Sequence, residues 1–195
     1  MKKWKSKILL LGVIALCFSC VKNDNGPTVF DIHCIDNFGN SDPGVAVTVF
    51  DNYNDWFNNT NPAYSETTDA NGNVSFSGVR AQQYYFYCDD TYNCLTNWSA
   101  QNTNGALAAH KTNTLNVVLT PFGTLKVTNT SPGGNPYEIK VNGEVWISSL
   151  GYNEYDTEIL PTGNATVEAI QLNGPTDNTY SVAILQCQTS AVNIP

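Results

Sequence analysis

From residue 28 onward, no stretch of this chain sustains a helical period. Apolar and polar residues alternate instead over about 4–8 positions, and turn-forming clusters cut each run short. The clusters are Asn37-Phe38-Gly39-Asn40-Ser41-Asp42-Pro43-Gly44, Asp69-Ala70-Asn71-Gly72, Asn142-Gly143, Pro161-Thr162-Gly163-Asn164 and Asn173-Gly174-Pro175. Gly and Asn tolerate positive φ and Pro presets a bend, so each cluster reverses the chain at little cost. A chain punctuated this way folds into short strands. At 42% hydrophobic residues it can also fill a core, which excludes a wholly disordered state.

Strands are expected at Val29 to Ile35, Val45 to Phe50, Ala63 to Thr68, Val74 to Ser77, Gln83 to Cys88 and Leu115 to Leu119. Phe30, Ile32 and Cys34 share one face, as do Val45, Val47 and Val49. Tyr84, Phe86 and Cys88 face opposite to Tyr85 and Tyr87. Residues 51–62 and 89–105 read as loops. Thr120-Pro121-Phe122-Gly123 reads as a break, because proline and glycine interrupt the sheet pattern. A second series follows at Thr124 to Asn129, Tyr137 to Val141, Glu144 to Ile147, Asn153 to Leu160, Ala165 to Leu172, Thr179 to Leu185 and Ala191 to Ile194. The expected fold is all-β, with two tandem small antiparallel β-sandwiches over 28–120 and 121–195.

Residues 1–19 are set apart. Lys2, Lys3, Lys5 and Lys7 precede the apolar run Ile8 to Phe18, the pattern of a cleaved export signal. The run is short for a membrane span. Its ending, Leu16-Cys17-Phe18-Ser19-Cys20, resembles a bacterial lipobox. There a cysteine thiol takes a diacylglycerol, and a small residue before it admits the signal peptidase. That makes Cys20 the lipidation site and Ser19 the processing residue, although Cys17 stands where leucine is usual. Each buried methylene adds about 0.8 kcal/mol, so two or three acyl chains anchor firmly. Residues 20–27 form a polar tether resembling the surface-export tethers of lipoproteins from the Bacteroidota. The implied location is the outer membrane, facing the periplasm or the outside.

With the leader removed, five basic residues oppose all 17 acidic ones, a charge of −12. Nucleic-acid binding needs cations against phosphate, so nucleic acid is excluded as a main partner. Electrostatic docking on an anionic bilayer is excluded likewise.

The order Phe30-Asp31-Ile32-His33-Cys34-Ile35-Asp36, Gly39, Pro43 to Val49, Thr68-Asp69-Ala70-Asn71-Gly72-Asn73-Val74-Ser75-Phe76 and Tyr84-Tyr85-Phe86 resembles a known pattern. It is that of the carboxypeptidase regulatory-like, transthyretin-like (prealbumin-like) β-sandwich, over residues 29–90. Such domains are mostly non-catalytic modules, and the resemblance carries no active-site residue. Gly123 to Ser131, Asn135-Pro136-Tyr137, Val141-Asn142-Gly143 and Leu160 to Gly163 resemble a second β-sandwich found behind such domains in small bacterial lipoproteins.

Four cysteines remain in the mature domains in an oxidising compartment. Cys34 and Cys88 face inward, in strands that the resemblance places in opposite sheets. A bond between them would contribute on the order of 4 kcal/mol, and one between Cys88 and Cys94 about 2 kcal/mol. Cys187 is then a spare thiol or pairs with Cys94 across the domains. The expectation is a bond within Cys34, Cys88 and Cys94.

Catalysis needs a converging nucleophile, base and orienting group. His33 and His110 are isolated, and neither G-x-S-x-G nor H-E-x-x-H occurs. Glu154, Asp156 and Glu158 alternate along one strand, read as a solvated outer face. Asp51, Asp55, Asp89 and Asp90 lie in loops whose spacing fits no EF-hand. No enzyme, metal or cofactor is expected. The aromatic residues Trp56, Trp98, Tyr85 and Tyr87 either pack against the sandwich or offer flat faces to a sugar. The expected function is a non-enzymatic envelope lipoprotein acting as a binding or assembly module, with carbohydrate binding through these aromatics as the alternative. Its partners are the membrane, through the lipid, and a glycan or protein of the envelope.

Overall fold

The computed structural model describes residues 26–98, 101–175 and 177–195. Ser19 and Cys20 lie outside them. The described residues form fourteen strands and one short helix, an all-β arrangement.

The first half holds β1 (Val29–Ile35), β2 (Ala46–Phe50), α1 (Tyr53–Phe57), β3 (Tyr64–Thr67), β4 (Asn73–Ser77), β5 (Tyr85–Asp90), β6 (Leu95–Thr96) and β7 (Thr112–Val118). The second holds β8 (Thr120–Asn129), β9 (Tyr137–Val141), β10 (Glu144–Leu150), β11 (Tyr155–Pro161), β12 (Gly163–Gln171), β13 (Asp177–Ile184) and β14 (Thr189–Ile194). One sheet has the order β4-β1-β7, another β10-β9-β12-β13. The third runs β3-β2-β5-β6-β8-β11, with β14 also on β8. Pairing is antiparallel except for β1 with β7 and β14 with β8.

Two clusters of buried side chains form, one from Phe30 to Leu119 and one from Leu125 to Ile194. Alternation decides their membership. Ile32, Cys34, Val47, Val49, Phe86 and Cys88 are fully buried in the first, while their strand neighbours face outward.

The break expected at Thr120 to Gly123 is not there. β8 runs straight through it, pairing with β6 at Thr120 and Pro121 and with β11 from Phe122 onward. Pro121 needs no amide hydrogen, because its carbonyl takes the bond, from Thr162 N at 2.9 Å. Gly123 marks a close approach rather than a turn, since a Cβ there would collide with the Leu185 carbonyl.

The cysteine expectation is also corrected. Cys94 is bonded to Cys187, and Cys34 and Cys88 remain buried thiols. The Cys34 thiol against it, and burial, push the Cys88 thiol well above its usual pKa. The cross-domain bond follows from the continuity of β8. Phe122 N donates to the Cys94 carbonyl at 2.9 Å, and Cys187 N donates to the Phe122 carbonyl at 3.0 Å. β6 and β14 therefore lie end to end along one edge of β8, and the disulfide joins them where they meet. Gln186 Nε2 adds a bond to the Asn93 carbonyl at 2.6 Å.

Candidate functional site

The outward face of β5 carries Tyr85, Tyr87 and Asp89 at a period of two. On β2 beside it, Phe50 pairs with Tyr85 and Thr48 with Tyr87. Phe50 is fully buried although it lies on this outer face, because α1 covers it. Residues 51–62 were expected to be loop. Within them Tyr53, Trp56 and Phe57 stand at helical spacing, and Asn52 caps the turn by accepting from Asp55 N at 3.0 Å. Tyr87 then ties α1 to the sheet, its hydroxyl donating to the Trp56 carbonyl at 2.8 Å.

The result is one aromatic strip. Tyr53 lies 5.8 Å from Phe57 and 5.5 Å from Trp56, Trp56 lies 5.3 Å from Tyr87, and Tyr87 lies 6.1 Å from Trp98, all between ring centroids. Tyr85 fills the angle between Tyr53 and Trp56. Most of this area is used in mutual packing. The open faces are at Phe57 (66% exposed), Tyr53 (50%) and Trp98 (50%). All four aromatics singled out from sequence meet here. Tyr53 and Asp89 were missed as members: Tyr53 lies in a helix of only five residues, and Asp89 follows the alternation of Tyr85 and Tyr87 but meets its groove partners only in the fold.

Asp55 organises the loop as a hydrogen-bond hub. Its carboxylate accepts from Asn61 Nδ2 at 3.0 Å, Asn52 Nδ2 at 2.6 Å and Thr60 Oγ1 at 3.3 Å. The bonds from Asn61 and then Asn52 hold its pKa below the ordinary value. The order they support is complete above that ordinary value and is lost as pH falls through the folded-state one. The near-UV circular dichroism of the strip should therefore weaken in acid. In Asp55→Ala it should already be weak at neutral pH, with that acid step gone. An unchanged spectrum in the variant would contradict the hub.

Beyond Trp98 the strip opens into a groove at the seam between the two cores. It has a volume of about 170 Å³ and is lined by Asp89, Thr91, Thr96, Trp98, Phe122 and Ile159. A narrower extension continues between Pro121 and Leu160. Asp89 is half-buried, and Thr96 Oγ1 donates to its Oδ1 at 2.7 Å. Burial pushes its pKa up, partly offset by the Thr96 bond.

The other candidates lie apart. His33 Nε2 is 3.1 Å from Ser41 Oγ, and His110 Nδ1 is 2.8 Å from the Gly26 carbonyl. The acids near β11 are not one solvated face. Glu154 precedes the strand and accepts from Gly151 N at 2.7 Å. Glu158 is half-buried and shares a face with Leu160, which packs on the second core, while Tyr155 is the side chain turned outward. Burial, and then Asp156, raise the pKa of Glu158. Asp51 is engaged with Arg80 and Gln82, and Asp90 caps the turn at Tyr92 and Asn93. Among the described residues, no three His, Cys, Asp or Glu side chains come together as metal ligands. No helix among them is long and apolar enough to cross a membrane.

No protein-family model matches the chain, and no curated protein does. Solved structures that align with this chain include the Bacillus anthracis TIE protein, at 14% identity and a TM-score of 0.39, covering 87% of this chain and 33% of that one. A streptococcal ancillary pilin aligns at 15% identity and a TM-score of 0.40, covering 88% and 63%. The minor pilin of Streptococcus agalactiae aligns at 11% identity and a TM-score of 0.35, covering 86% and 94%. The chain thus spans about a third of the first protein and under two thirds of the second.

Proposed function

We propose that this chain is a non-enzymatic binding or assembly module of the bacterial cell envelope, held on the outer membrane by lipid on Cys20. The aromatic strip running from Phe57 to Trp98 into the seam groove carries the binding part of this reading. A strip on a hydrogen-bonded sheet presents flat apolar faces without first ordering them, which favours recognition. The Bacteroidota-type lipoprotein assignment, with its carboxypeptidase regulatory-like domain, rests on the sequence resemblance. Palmitate labelling of cells expressing the chain tests the anchor. Cys20→Ala should abolish the label, and a label that persists would refute acylation at Cys20. Protease shaving of the same intact cells separates an outward-facing protein from a periplasmic one.

Carbohydrate binding is the second reading, favoured by the half-exposed ring faces of Tyr53 and Trp98. Retention on immobilised polysaccharide that falls in Trp98→Ala would support it.

A further inference from the structure

We propose that the seam groove captures a side-chain-sized primary amine, which on the cell surface is the ammonium end of a lysine on a partner protein. The groove juxtaposes a half-buried carboxylate, Asp89, an indole, Trp98, and two apolar walls, Phe122 and Ile159. Its size sets the ligand. At 170 Å³ it falls below the roughly 300–1,000 Å³ of sites for whole small molecules, so it holds one side chain better than a glycan segment. Its chemistry sets the charge. Asp89 Oδ1 is engaged by Thr96, while Oδ2 accepts no hydrogen bond from the described residues. An ionised carboxylate has acceptor capacity on both oxygens.

Among the described residues, no basic side chain lines the groove as a counter-ion. Arg80 is paired with Asp51, Lys140 with Glu138, and Lys126 sits 4.1 Å over the Tyr155 ring. The mature charge of −12 steers cations toward the protein. An arriving ammonium would meet the carboxylate on one side and an indole, the best ring for cation–π attraction, on the other. Phe122 and Ile159 would cover the methylene stem that a lysine carries behind its charge.

This deepens the binding-module reading and rests on it for the partner. Its test uses the purified full chain in detergent, so loss of the lipid anchor and loss of the amine site are told apart. The chain is titrated with n-butylammonium chloride, with n-butanol as the uncharged control, while the indole N–H resonances are followed by NMR. Trp98→Phe assigns the Trp98 signal. A saturable shift of that signal by butylammonium, absent with butanol, is expected. Asp89→Asn keeps an acceptor for Thr96 and should weaken binding by about tenfold or more, the weight of a charge-assisted bond. Phe122→Ala, which leaves the charge in place, should weaken it less. Equal shifts from butanol, or undiminished butylammonium binding in Asp89→Asn, would overturn the proposal. So would an oligosaccharide that shifts the Trp98 signal equally in the wild type and Asp89→Asn while butylammonium does not.

Discussion

Replacing Cys94 and Cys187 together by serine should destabilise the fold by about 4–5 kcal/mol, one of the two largest effects expected of any small change in this chain. The bond spans 93 residues, so its removal frees a long loop in the unfolded state. For a chain of this size the melting temperature should fall by roughly 8–20 °C, and wild type under reducing conditions should fall similarly. Cys187 is exposed, so a reductant can reach the bond. Both cysteines have positive φ, 51° and 56°, a region that disfavours side chains with a Cβ. A glycine pair should therefore lose less than the serine pair, by about 1 kcal/mol or more. Melting temperatures unchanged by both serine substitution and reduction would remove the disulfide from the account.

The second large effect is expected at Asn97, which is fully buried. β6 is only two residues long, so among the described residues most of the edge of β5 has no strand beside it. Buried amides there still need acceptors. Asparagine side chains and one loop carbonyl supply them. Asn104 Oδ1 accepts from Tyr84 N at 2.8 Å, the Asn102 carbonyl from Phe86 N at 2.9 Å, and Asn97 Oδ1 from Cys88 N at 2.9 Å. Asn97 Nδ2 donates to the carbonyls of Phe86 and Gln101. Asn97→Ala strands the Cys88 amide in the core and opens a void, at a cost of about 3 kcal/mol. Chemical denaturation measures it, and Asn97→Asp should also be damaging because it removes both donors and buries a charge. A loss below about 1 kcal/mol in Asn97→Ala would mean that the loop does not act as the missing strand.

These two sites also show what the sequence could and could not disclose. Alternation is a local property, so strands such as Val29–Ile35 and Tyr137–Val141 were legible. So were the outward positions of Tyr85 and Tyr87. α1 spans five residues, too few to display a helical period, and β6 spans two. Asn97 lies in the stretch 89–105 that reads as loop, and its role depends on an edge left open elsewhere. The Cys94–Cys187 pairing depends on β8 passing unbroken through Pro121 and Gly123, residues that locally signal the opposite. Asp89 joined the site only once Trp98, Phe122 and Ile159, far apart in sequence, were brought around it.

The unbroken β8 has one further consequence. Tandem sandwiches joined by a free linker wag against each other, and a ligand gripping both must first quench that wagging. Here the seam is stitched by a shared strand and a covalent bond, so the two lobes have little relative freedom left to forfeit when something settles between them. A weak grip on a small groove can thus hold longer than its few contacts would suggest.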